Sequence, residues 1–233
     1  MEILSMEGWS VLLRWFHVLA GITWIGMLYY FNFVQTPFFG TELGGQAKSL
    51  VTRGLVPNAL WWFRWGAMFT FITGVLLLLT KWGHESVPLS SGYMTLILTG
   101  ALMGTLMFLN VWLVIWPAQQ VVIANAEKVA AGGEADPAAA SRAARAGLAS
   151  RTNTLFSIPM LFFMVAAANF LSLPLGTNIT AYWAIALVLI FAVEANCLVG
   201  TGQGRQKFLG TVSGTIHVGV ILTIVLYILM SVL

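Results

Sequence analysis

Six stretches of the 233-residue sequence, 9–34, 59–80, 93–116, 154–173, 180–199 and 209–232, are apolar over about 20 residues or more, the length a helix needs to cross about 30 Å of hydrocarbon. The pattern predicts an all-α fold, a polytopic integral membrane helix bundle, with residues 1–233 forming a single transmembrane domain. Composition agrees: 59% of residues are hydrophobic and 8% charged, where a soluble domain carries about 25% charged residues. With 11 Lys+Arg against 8 Asp+Glu, the chain lacks the concentrated basic face that nucleic acid requires. Its one cysteine, Cys197, excludes an internal disulfide, a Cys-based zinc site and a Cys-ligated iron–sulfur cluster. Redox chemistry here needs histidines and a borrowed cofactor. Glu2 and Glu7 stand where a cleavable signal carries basic residues, so the N-terminus reads as mature sequence.

Loop charges predict orientation. Loops 35–58 (Lys48, Arg53), 117–153 (Lys128, Arg142, Arg145, Arg151) and 200–208 (Arg205, Lys207) share one side, whereas the N-terminus and loops 81–92 and 174–179 offer only Lys81. The positive side is cytoplasmic, which places both termini outside the cytoplasm. Loop 117–153 reads as a polar helical hairpin extending the third and fourth spans: two Ala-rich segments flank GGEAD, with Asp136 as N-cap and Pro137 at the first helical position. Its plainest role is a solvated connector. Most of the ten tryptophans sit at span ends, as interfacial anchors do, and the methionines read as core packing.

Ionisable and amide side chains inside spans are costly and usually face the bundle interior. They are Arg14 and His17 in the first span, Arg64 in the second, Asn110 in the third, Glu194 in the fifth and His217 in the sixth. Gly210, Gly214 and His217 share a helical face, and His17 has Gly21 and Trp24 beside it, so each histidine borders missing side chains where a flat cofactor fits. A neutral imidazole is the usual protein ligand of haem iron, which makes His17 and His217 candidate ligands of haem b, with Arg14 placed for a propionate. Close helix packing explains the same glycines without a cofactor. Counted along the helices, His17 lies about 12 Å from the outer surface and His217 about 12 Å from the inner one, which disfavours one haem shared by both. Met107, which repeats the geometry with Gly100 and Gly104, is an alternative axial ligand.

Arg64, Glu194 and Asn110 all lie near the cytoplasmic ends of their spans. Either Arg64 and Glu194 neutralise each other, or they line a pocket. In the second case Arg64 suits an anionic substrate, Glu194 with His217 suits proton transfer, and Asn110 reads a planar amide edge.

The strings RWFHVLAGITWIGMLYYFNFVQ (14–35), LWWFRWGAMFTFITG (60–74), NVWLVIWPAQQ (110–120) and SRTNTLFSIPMLFFMVAAAN (150–169) resemble the membrane domain of the bacterial cytochrome-c-linked urate oxidase, or urate hydroxylase, family. A histidine in the first span before an aromatic, glycine-bearing stretch is more distantly similar to haem-binding membrane protoporphyrinogen oxidases. The first resemblance implies a protein of the bacterial inner membrane, with periplasmic termini, that oxidises urate to 5-hydroxyisourate and passes electrons to a cytochrome c. Arg14, His17, Arg64 and Asn110 fall within the resembling strings. Full-length members carry a C-terminal cytochrome c domain with Cys-x-x-Cys-His, a motif these 233 residues do not contain, so a separate acceptor is expected. The competing reading is a non-catalytic haem-binding or accessory subunit of a larger respiratory or photosynthetic electron-transfer complex. An anion transporter would need a continuous polar path and paired broken helices, which the sequence does not show.

Overall fold

The computed structural model describes residues 5–170, 176, 178–199 and 204–233, the side chains at 204 and 205 excepted. The C-terminal end of the expected fourth span and the side chain of Arg205 lie outside the described residues. Six helices are long and apolar enough to span a bilayer: α1 (Met6–Phe39), α3 (Val56–His84), α4 (Gly92–Ala130), α5 (Ala139–Asn169), α6 (Ile179–Val199) and α7 (Val212–Val232). The short helix α2 (Glu42–Gly54) joins α1 to α3, and a 3₁₀ segment (Gly204–Gly210) precedes α7. No strand occurs among the described residues.

All six expected spans are present, and several outrun the apolar stretches that signalled them. The sequence reading leaves 35–58 as a loop, but α1 continues to Phe39 and α2 fills most of the remainder. The start of α2 needs a glycine. Thr41 Oγ1 accepts from the Gly44 N–H at 3.0 Å, and a Cβ on Gly44 would lie 1.8 Å from the carbonyl oxygen of Phe38. In the hairpin, α4 reaches Ala130 and α5 begins at Ala139. Asp136 is not the cap the sequence suggested: α5 starts two residues later than expected, with Ala138 at its N-cap position, and Asp136 Oδ1 instead accepts from the Ala138 N–H at 2.8 Å in the turn before the helix.

Among the described residues three spans contain a π-helical turn; that of α3 (Thr80–His84) closes its helix, and the other two lie ahead of a proline within the same helix. In α1 the turn is Tyr30–Gln35, ahead of Pro37, and in α4 it is Asn110–Ile115, ahead of Pro117. A proline has no N–H for the carbonyl four residues back, and its ring crowds that carbonyl; a local widening absorbs both conflicts without breaking the span.

The central post is α5. It packs against α4, α6, α7 and the C-terminal half of α1, while α1 also pairs along its length with α3. Close approaches depend on small residues, as expected for helices that share no hydrophobic drive in lipid. A Cβ on Gly66 of α3 would stand 3.0 Å from the backbone nitrogen of Trp24, and one on Gly100 of α4 3.1 Å from the carbonyl oxygen of Met160. Pro159 leaves the carbonyl of Leu155 without its helical N–H, and Gly219 of α7 packs on that oxygen. The face carrying Gly100 and Gly104 is filled by Met160 and Met164, and Met107 is fully buried, so this face is packing rather than a cofactor slot.

Candidate functional site

Asn110 opens the π turn of α4 and points into the bundle, 2% exposed. Its side-chain Nδ2 donates to Asn153 Oδ1 of α5 at 3.0 Å and to Glu194 Oε2 of α6 at 3.1 Å. Asn153, fully buried, donates its own amide to the carbonyl oxygen of Met107 at 2.9 Å, so main chain fixes the orientation of both asparagines. Three helices thus contribute a carboxyl group and two amides to one buried polar centre. No Lys, Arg or His lies within ion-pair distance of Glu194 among the described residues, where the only ion pair is Lys81–Glu85.

A second polar contact lines another side of α5. Asn32, in the π turn of α1, donates to Ser150 Oγ at 2.7 Å and to its own Leu28 carbonyl at 2.9 Å. One turn outward, Tyr29 and Ser157 are 2.9 Å apart; the serine hydroxyl donates to the Thr154 carbonyl, which makes the tyrosine the donor. The π turns of α1 and α4 therefore each aim a buried asparagine at the run Ser150–Ser157 of α5. π turns of this kind recur at functional sites.

Arg64 does not join Glu194. Its guanidinium lies over Trp116 at 3.8 Å and near Trp112 at 5.1 Å, on the face of α4 turned toward α3, while Asn110 of the same helix faces α5 and α6. Neither expected arrangement, mutual neutralisation or a shared pocket, is formed, because α4 stands between them.

His17 is half-buried against α3, its Nδ1 3.0 Å from Thr73 Oγ1, and a Cβ on Gly74 would lie 3.1 Å from its Cε1. The Thr73 hydroxyl donates to the Phe69 carbonyl at 2.6 Å, so its oxygen accepts from the imidazole, which places the proton on Nδ1 and leaves the Nε2 lone pair free. Gly21 of the same face is in ordinary contact with Thr70. His217 faces outward. Its Nδ1 lies 2.7 Å from the Ser213 carbonyl oxygen, again leaving Nε2 as the free nitrogen, but the side chain is exposed. The space beside Gly214 is taken by the Phe208 carbonyl oxygen, 2.4 Å from a Cβ position, rather than left for a flat ligand. Arg14 is also exposed. Arg14 and His217 are thus exceptions to the inward orientation usual for intramembrane polar side chains.

Each histidine has the donor arrangement of an axial haem ligand, an Nδ1–H held by oxygen and an open Nε2. They do not face one another, so the fit is to separate positions. No group of three or more His, Cys, Asp or Glu side chains suited to a metal ion occurs among the described residues.

Sequence reading missed Asn32 and Asn153. The amide in YYFNFVQ was a visible signal, a polar residue within an apolar run; Asn153 lay one residue before the expected start of its span at 154.

Fold and centre define a multi-pass membrane helix bundle with an amide-lined carboxyl group in its interior. The family model described as urate oxidase, N-terminal, matches residues 80–229, well over half the chain, and the protein belongs to that family. The matched region contains Asn110, Asn153, Glu194 and His217, and starts after Arg14, His17 and Arg64. No curated protein and no solved structure matches the chain.

Proposed function

We propose that the protein is a membrane oxidoreductase of urate oxidase type, converting urate to 5-hydroxyisourate in the bacterial inner membrane and delivering the electrons to a cytochrome c. The observation that carries this reading is the Asn110–Asn153–Glu194 centre, buried within the part of the chain that matches the family. Hydroxylation of urate by water adds one oxygen and releases two electrons and two protons. A carboxylate in reach of the substrate takes one of those protons. Glu194 suits this role because no cation within ion-pair distance has to be displaced when it is protonated. Asn110, itself held by Asn153, fixes the position of the carboxyl group.

His17 is the residue best suited to hold a haem b, through Nε2, with Thr73 fixing the imidazole behind it. Haem supplies one-electron steps, which a two-electron oxidation coupled to a one-electron carrier requires. His217 offers a separate, outward position. Arg64 has no part in this centre.

The test is a reduced-minus-oxidised visible spectrum of the detergent-purified protein before and after anaerobic addition of urate. Reduction of a b-type haem by urate is the expected result. A haem that urate leaves oxidised would assign the chain to the accessory-subunit class instead.

A further inference from the structure

Arg64 carries a charge that no acidic side chain among the described residues balances: the single ion pair is Lys81–Glu85, and Glu194 is engaged across α4. Its guanidinium rests on Trp116 at 3.8 Å and borders Trp112 at 5.1 Å. Trp65 meets Trp112 edge to face at 5.8 Å, and Trp61, 6.4 Å from Trp65, and Trp62, 4.9 Å from Trp61, extend the same cluster, 47% and 59% exposed. Two indoles against a half-buried guanidinium, continued by three more in ring-to-ring contact, mark the level of the lipid headgroups, where tryptophan concentrates. A guanidinium stacked by its face keeps edge N–H groups for an oxyanion, and a phosphodiester accepts two of them side by side.

We propose that Arg64, Trp112 and Trp116 form a headgroup site for an anionic phospholipid at the α3–α4 cleft. The phosphate supplies the missing counter-charge, the indoles pack against the glycerol and upper acyl region, and the exposed Trp61 and Trp62 border the site on its lipid side. The site depends on the membrane fold alone, so it stands or falls separately from urate oxidation.

The experiment compares thermal stabilisation of the full, detergent-purified chain by phosphatidylglycerol and by phosphatidylcholine, titrated into micelles, for wild type, Arg64→Gln, Arg64→Lys and Trp116→Leu. The difference between the two lipids is the readout, which cancels any general loss of stability in a variant. The expected result is selective stabilisation by phosphatidylglycerol, with apparent affinity lowered about fivefold in Arg64→Gln, as for loss of one basic contact at an anionic surface. Arg64→Lys and Trp116→Leu are expected to fall between, since each keeps part of the site. Equal stabilisation by both lipids in wild type, or selectivity unchanged in all three variants, would overturn the proposal. So would an Arg64-dependent response to urate or inorganic phosphate without one to phosphatidylglycerol, which would assign the site to a soluble anion.

Discussion

Asn110 and Glu194 meet across the bundle through one N–H···O bond of 3.1 Å, made by the same amide nitrogen that serves Asn153 at 3.0 Å. A single side chain therefore holds α5 and α6 in register with α4 at the level of the buried carboxyl group. Replacing Asn110 by Ala strands two buried acceptors at once. The expected cost is about 1–3 kcal/mol of stability, read as a lowered Tm in detergent, together with loss of urate turnover. Unchanged stability would mean that the bond is not made.

Glu194→Gln separates chemistry from structure. The amide keeps an oxygen for Asn110 and nearly the same volume, so the stability change should stay within roughly 1 kcal/mol. Urate oxidation, which needs a proton acceptor, should fall by about 100-fold or more. Turnover close to wild type would remove Glu194 from the mechanism.

Helix packing makes a contrast between two glycines of the spans. A Cβ on Gly219 would stand 2.8 Å from the Leu155 carbonyl oxygen and 2.7 Å from Ile158 Cδ1, and α5 has little room to yield because helices pack around it. Gly219→Ala should cost about 1–3 kcal/mol. Gly26→Ala, with nothing within 4 Å of the new carbon, should be neutral or stabilise by up to about 1 kcal/mol. Thermal melts of the two variants check the pair.

Thr73→Val removes the oxygen that orients His17 while preserving shape. With haem carried on His17 Nε2, this variant should retain the haem but shift its reduction potential, whereas His17→Ala should lose it. A redox titration distinguishes the outcomes. Haem retained in His17→Ala and lost in His217→Ala would move the cofactor to the outward face of α7.

Six apolar runs were enough to read the membrane fold, because hydropathy over 20 residues is a property of the segment and does not depend on neighbours. The hairpin was equally legible from its Ala-rich arms and the GGEAD turn. What the sequence could not carry was direction around each helix. Arg64 and Glu194 sit at similar depths, and only the side-chain contacts show that α4 separates them, Arg64 stacking on Trp116 on one face and Asn110 bonding Glu194 on another. The outward turn of His217 was likewise hidden, since the glycine at 214 serves the Phe208 carbonyl and the Thr211 cap rather than a ligand. Asn153 escaped because the apolar run that defined its span begins one residue later, while its helix already starts at Ala139.

The most direct test of the account is the stoichiometry of anaerobic urate oxidation by the purified protein with ferricytochrome c as acceptor, measured beside Glu194→Gln. Two molecules of cytochrome c reduced per urate consumed, with 5-hydroxyisourate formed and the variant inactive, is the expected result. Urate left intact while the protein is folded and haem-loaded would contradict it.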